Sequence, residues 1–144
     1  MKTYVKVALF FVTFIALAAI LAALYYYNLK AADMSKAKPD FKITASALQK
    51  AFDNDETKAS VTYINKILEV TGKVASVKPA ENRVISVSLV TESDLSSVIC
   101  TFPAVSDPSI FKTGDEITVR GECSGFLMDV LLNNCALILP KTKK

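Results

Sequence analysis

The sequence contains no histidine and no tryptophan, and only four of its 144 residues are glycine. The missing histidine excludes imidazole acid–base catalysis, Ser-His-Asp chemistry and every His-containing metal site. Neither a G-x-x-x-x-G-K-[ST] nor a G-x-G-x-x-G run occurs, so neither phosphate-cradling loop is present. Cysteine has no histidine to activate it, and no C-x-x-C occurs. Three thiols without a fourth ligand do not complete a zinc site. Asp53 to Glu56 fails as a calcium loop, because Lys58 stands where glycine is needed and Ile64 where the bidentate glutamate belongs. These absences point to a chain that is not an enzyme and uses no cofactor or metal.

What is abundant is apolar surface: 51% of residues are hydrophobic, and mean hydropathy is +0.34. The excess sits in Val7 to Leu24, which has one hydroxyl (Thr13) and no charge. Eighteen or so residues at about 1.5 Å each span roughly 30 Å, the thickness of a bilayer's hydrocarbon core. Tyr25, Tyr26 and Tyr27 close the run and suit a membrane interface. The run exceeds a usual signal-peptide core, its exit is bulky and not A-x-A, and no lipobox cysteine follows, so an uncleaved anchor is expected. Residues 7–27 are thus expected to partner the membrane. Lysine counts on the two sides nearly balance, but so short an N-terminal tail favours a domain outside the cytoplasm, on a bacterial inner membrane. The division expected is a membrane anchor at 1–30, a polar linker at 31–42, a folded domain at 43–139 and a basic tail at 140–144.

The net charge of +3 misleads until it is divided. Residues 40–139 hold nine Lys or Arg and 13 Asp or Glu, a balance of −4. Within them, Thr44 can cap a helix over Ile43 to Asp55, with Leu48, Ala51 and Phe52 as its apolar stripe. Ala59 to Ile64 can add a second short helix that turns Tyr63 to the core. From Lys66 on, the period changes from 3.6 to 2. The alternating sets are Leu68, Val70, Gly72 and Val74; Ile85, Val87 and Leu89; Val98, Cys100 and Phe102; Ile117, Val119, Gly121 and Cys123; then Val130 to Leu139. Gly72 suggests a bulge or bend. Five evenly spaced strands predict a small closed or nearly closed barrel, mainly β, with a preceding helix and an N-terminal transmembrane helix.

Three segments carry a family resemblance: Ile67-Leu68-Glu69-Val70-Thr71-Gly72-Lys73-Val74, the stretch Gly114 to Gly125, and Asp129-Val130-Leu131-Leu132-Asn133-Asn134-Cys135. Together with the upstream helix and Val98 to Phe102, they resemble the tRNA-anti-like OB-fold family over about residues 40–138. Asn65 replaces the glycine that commonly precedes the first strand, and asparagine tolerates the left-handed conformation needed there. The resemblance implies a five-stranded OB-fold barrel. Its expected role is a non-catalytic, membrane-anchored binding or interaction module, its partner another envelope protein, a glycan or a small ligand. The alternative is a single-stranded nucleic-acid-binding OB domain. Against the alternative, the second strand has no aromatic for base stacking, the third offers only Phe102 on its core face, and Ser60 to Cys135 holds six basic and nine acidic residues.

By analogy of fold, the candidate surface is Arg83, Ser86, Ser88, Thr101 and Arg120. The turn Phe126-Leu127-Met128 joins it, either as a plug for the barrel end or as a partner contact. Cys100, Cys123 and Cys135 allow three disulfide pairings or none. Cys123 with Cys135 is favoured because both lie in the last two strands. A simple hairpin register would, however, set Cys123 opposite Val130.

Overall fold

The apolar run forms one helix, α1 (Lys2–Lys30). Its stretch Lys2–Tyr27 is long and apolar enough, by length and composition, to cross a membrane: 26 residues rise about 39 Å at 1.5 Å each. Thr13 returns its hydroxyl to the Phe10 carbonyl of the same helix at 2.9 Å. The only side-chain hydroxyl of the apolar run is thereby satisfied within the helix. The computed structural model describes residues 2–30, 33–79, 81–103, 105 and 107–138. The expected basic tail, Leu139, and residues 31 and 32 of the expected linker lie outside the described residues. Two compact units divide after residue 32.

The second unit contains β1 (Phe41–Thr44), α2 (Ala45–Asn54), α3 (Glu56–Tyr63), β2 (Ile67–Pro79), β3 (Ile85–Leu89), β4 (Val98–Phe102), β5 (Glu116–Leu127) and β6 (Asp129–Ile138). Pairing runs β1-β2-β3-β4-β6-β5, and β5 returns to β2. The five strands β2 to β6 therefore close on themselves as a barrel. The β4–β6 ladder is parallel and the other barrel ladders are antiparallel. Alternation dictates the inside: Ile85, Val87, Leu89, Val98, Cys100 and Phe102 are all buried. Closure removes free edges, which a sheet this small could not otherwise protect.

β1 is the main departure from the sequence expectation. It pairs in parallel with β2, Phe41 opposite Leu68 and Thr44 opposite Thr71. Ile43 is thus in a strand, and α2 begins at Ala45, where the Thr44 hydroxyl accepts from the Ala47 amide at 3.2 Å. Four residues are too few for a period to show. Asp40 binds Ile67 twice, its amide donating to the Ile67 carbonyl at 2.8 Å and its carboxylate accepting from the Ile67 amide at 2.9 Å. Across the 7-residue helical repeat, α2 buries Ala45, Leu48, Gln49 and Phe52. Asp55 then caps α3 by accepting from Lys58 at 2.9 Å, so α3 starts three residues before the expected Ala59.

The described part of the expected linker is not a free tether. Arg120 on β5 donates through Nη1 to the carbonyls of Met34, Ser35 and Ala37, at 3.4, 3.0 and 2.6 Å. Its Nη2 meets Glu69 Oε2 at 2.6 Å, and Lys42 approaches Glu69 Oε1 at 3.2 Å. Met34 is buried. The glycines also have specific causes. A Cβ on Gly72 would lie 2.9 Å from the Ala45 Cβ, so the glycine admits the start of α2; the irregularity in β2 falls beyond it, between Val74 and Ser76. A Cβ on Gly121 would lie 2.5 Å from the Cys135 sulfur.

Hydrogen bonding from Arg120, helped by Lys42, holds the Glu69 carboxyl below the ordinary glutamate range. Because the folded value is the lower one, this stabilisation is complete above the ordinary range and is lost as pH falls through the lowered value. Arg120→Ala, which leaves the partly buried Glu69 with Lys42 alone and strips the Met34, Ser35 and Ala37 carbonyls of their donor, is expected to cost about 1–3 kcal/mol. It should also raise the pH at which acid unfolding begins. Denaturant unfolding of the full chain in detergent, measured from pH 3 to pH 7, checks both.

Candidate functional site

The strands place Ser86 directly opposite Thr101, and Ser88 opposite Ile99, on the outer face of the β3–β4 ladder. Ser76 and Lys78 of β2 extend the same rows, opposite Ser88 and Ser86. Arg83 is exposed at the β2–β3 turn, where Asn82 and Arg83 take φ of 59° and 63°. Four of the candidate residues therefore gather on one wall of the barrel. That wall sets Ser76, Ser86, Ser88 and Thr101 beside Ile99, Lys78 and Arg83, and among the described residues it carries no aromatic platform. Arg120 does not belong to it: it sits opposite Glu69 on the β2–β5 ladder and is occupied by the 34–37 carbonyls.

The three turn residues separate by role. Phe126 stacks on Phe52 of α2, centroids 5.1 Å apart and planes 20° from parallel. Leu127 and Met128 remain 80% and 68% exposed. Phe126 thus closes the barrel end and the next two residues project from it. Met128 takes φ of 77°, a left-handed conformation that costs a side-chain-bearing residue roughly 1–2 kcal/mol.

Beside this turn lies an open groove of about 760 Å3, lined by Asp53, Glu56, Ser93, Leu95, Ser96, Phe126, Leu127 and Met128. Leu95 is 84% exposed. Its loop is braced from within: Thr91 donates to the Ser96 carbonyl at 2.6 Å, and Asp129 accepts from the Ser97 amide and hydroxyl at 2.6 and 2.9 Å. Gln49 joins the two sides of the groove, its buried amide donating to Asp53 Oδ1 at 3.1 Å and to the Met128 carbonyl at 3.2 Å. Sequence reasoning named the turn but missed Leu95, Asp53 and Glu56 as its neighbours. The available signal was a single leucine inside the polar run Thr91 to Ser97.

The favoured Cys123–Cys135 disulfide is absent, and all three cysteines are buried free thiols. Register shifts around Gly121 and Ser124 set Cys123 opposite Leu132, not opposite Cys135 or Val130. Cys135 curls back on the Leu132 carbonyl at 3.4 Å, and Leu132 is the partner of Cys100 in the β4–β6 ladder. Its sulfur therefore meets Cys100. The hydrogen bond that the Cys100 thiol makes to Cys135, together with burial, pushes Cys100 up, and burial pushes Cys123 up to about 11. Both thiols stay protonated near neutral pH, which suits core packing and not nucleophilic work.

Substitutions at the turn should separate plug from contact. Phe126→Ser is expected to lower unfolding stability by about 2–3 kcal/mol through loss of the Phe52 stack. Leu127→Ser should change it by less than about 0.5 kcal/mol. Met128→Gly should raise it by about 1 kcal/mol by relieving the left-handed backbone. Chemical unfolding of each variant checks the three signs.

No curated protein matches the chain. Among solved structures, a crystal structure of a Klebsiella pneumoniae lipoprotein, proposed in its name to bind nucleic acid, superimposes with a TM-score of 0.55 at 18% identity. The match covers 67% of this chain and 91% of the other. At that identity the likeness shows the barrel fold. The sequence itself matches the tRNA_anti-like family over residues 1–137, the N-terminal helix included. With the closed five-stranded barrel and this match over nearly its whole length, the chain belongs to the tRNA_anti-like family of OB-fold proteins.

Proposed function

We propose that this chain is a non-catalytic binding module, anchored through residues 7–27 in a bacterial inner membrane with its barrel outside the cytoplasm. Its partner is another envelope component, and the contact surface is the end of the barrel, not its wall. One observation carries the reading. Leu95, Leu127 and Met128 are exposed around a single groove, on a chain segment braced to hold them there. Monomeric surfaces scatter their apolar residues singly, and a contiguous set marks a contact site. The anchor supports confinement to the membrane surface, where even modest affinity is amplified by local concentration.

Nucleic-acid binding, the role proposed for the Klebsiella protein, is the second reading. The barrel wall offers little for it. Its outer face has serines and a threonine where stacking rings are needed, and only Lys78 and Arg83 bring positive charge to it. The groove carries Asp53 and Glu56, which repel phosphate. Residues 40–139 balance at −4, so counterion release has little to draw on.

Two measurements test the proposal. Protease added to intact spheroplasts should digest the barrel domain, and protection until permeabilisation would place it inside. The full chain in nanodiscs should bind no mixed-sequence oligonucleotide at low salt. Binding that falls steeply as salt rises would establish the second reading instead.

A further inference from the structure

We infer that the barrel-end groove docks a cationic, apolar segment of a partner protein: a few leucine-like side chains flanked by lysine or arginine. The inference rests on the binding-module reading above and adds the chemistry of the partner. The apolar part follows from Leu95, Leu127 and Met128, which stay exposed while Phe126 beneath them is stacked on Phe52. The cationic part follows from charge. Asp53 and Glu56 both line the groove, and no lysine or arginine does. Among the described residues, the ion pairs are Lys36–Asp33, Lys42–Glu69 and Arg120–Glu69, so neither groove carboxylate has a cation of its own. Asp53 receives the neutral Gln49 amide.

The same geometry selects among occupants. An anionic lipid surface or a nucleic-acid strand would bring negative charge against two carboxylates without a cation, a cost that complementarity normally avoids. A purely apolar occupant would leave those carboxylates beside a dried surface without compensation. A segment with both characters satisfies both halves of the groove. Gln49 ties Asp53 on α2 to the Met128 carbonyl in the β5–β6 turn, and Asp129 ties that turn to the loop of Leu95. The three walls are thus held in place before a partner arrives, which lowers the ordering cost of docking.

The test uses the full chain in nanodiscs of zwitterionic lipid, with empty nanodiscs as the blank. Three fluorescent nine-residue peptides are titrated: leucine with lysine, leucine with glutamate, and leucine with serine. The leucine–lysine peptide should bind about tenfold or more tighter than either of the others, a gap that narrows as salt rises. Leu95→Ser with Leu127→Ser, both at strongly exposed positions, should weaken it about tenfold without changing the thermal unfolding midpoint. Glu56→Gln should weaken it several-fold and flatten the salt dependence. Equal binding of all three peptides, no binding of the lysine peptide, or no effect of the leucine substitutions would overturn the inference. If the peptides fail while oligonucleotides also stay unbound, only the partner chemistry is lost. If oligonucleotides bind, the binding-module reading falls with it.

Discussion

Every strand of the folded unit takes its register, directly or through one neighbour, from β2. Its first half carries β5 on one side and β1 on the other, and its second half carries β3. The barrel closes only because a single 13-residue strand can change partners along its length. The change falls at Gly72, Lys73 and Val74, where the β5 ladder ends and the β3 ladder begins. At that place the start of α2 presses on the strand, and the missing side chain of Gly72 is what lets Ala45 approach. The short strand β1 covers the part of the β2 edge that β3 leaves unpaired. Closure, helix packing and edge protection are thus one constraint met on one strand.

Polar chemistry on the barrel is spent in two different ways. Glu69, Arg120 and Lys42 form a partly buried charge cluster, and its work is structural: it draws the segment from Met34 to Ala37 onto the barrel. Such a cluster stabilises only while all its members are paired, because a lone charge there is costly. At the barrel end the situation is reversed. Among the described residues, Asp53 and Glu56 have no cation paired with them, beside leucine and methionine side chains that remain exposed. The interior of so small a barrel is filled by its own side chains, which leaves the end and the outer wall as places for a ligand. The β3–β4 wall mixes hydroxyl side chains with Ile99 and Lys78 and has no cluster of exposed large apolar residues, so the end carries the distinctive surface.

Particular residues show how far a local pattern reaches. Strict alternation in Ile85 to Leu89 and Val98 to Phe102 identified both strands and their inward faces, because a two-residue period needs no partner to be recognised. Thr44 was legible as a cap and Asn65 as a left-handed position, and its φ is 61°. Four-residue β1 was not legible, since it earns its identity only by lying against β2. Arg120 read as an exposed ligand-binding cation, because nothing nearby in sequence announces that Glu69, 51 positions away, and three carbonyls more than 80 positions away converge on it. Cys123 and Cys135 share the last hairpin, but that hairpin turns at Met128, a centre that sets them out of register, and a one-residue shift then puts Cys123 opposite Leu132.

The amino-acid order alone determined the apolar N-terminal helix, the five pleated segments, the barrel class and the absence of imidazole chemistry. Each of these follows from composition or from a period that repeats within ten or twenty residues. Tertiary structure alone decided that the supposed linker is docked, that Cys135 neighbours Cys100, and that Leu95 shares a groove with Asp53, Glu56 and Met128. Those outcomes depend on which distant strands pair and where a bulge shifts their register. A one-residue shift changes every cross-strand neighbour while leaving each strand's own pattern intact.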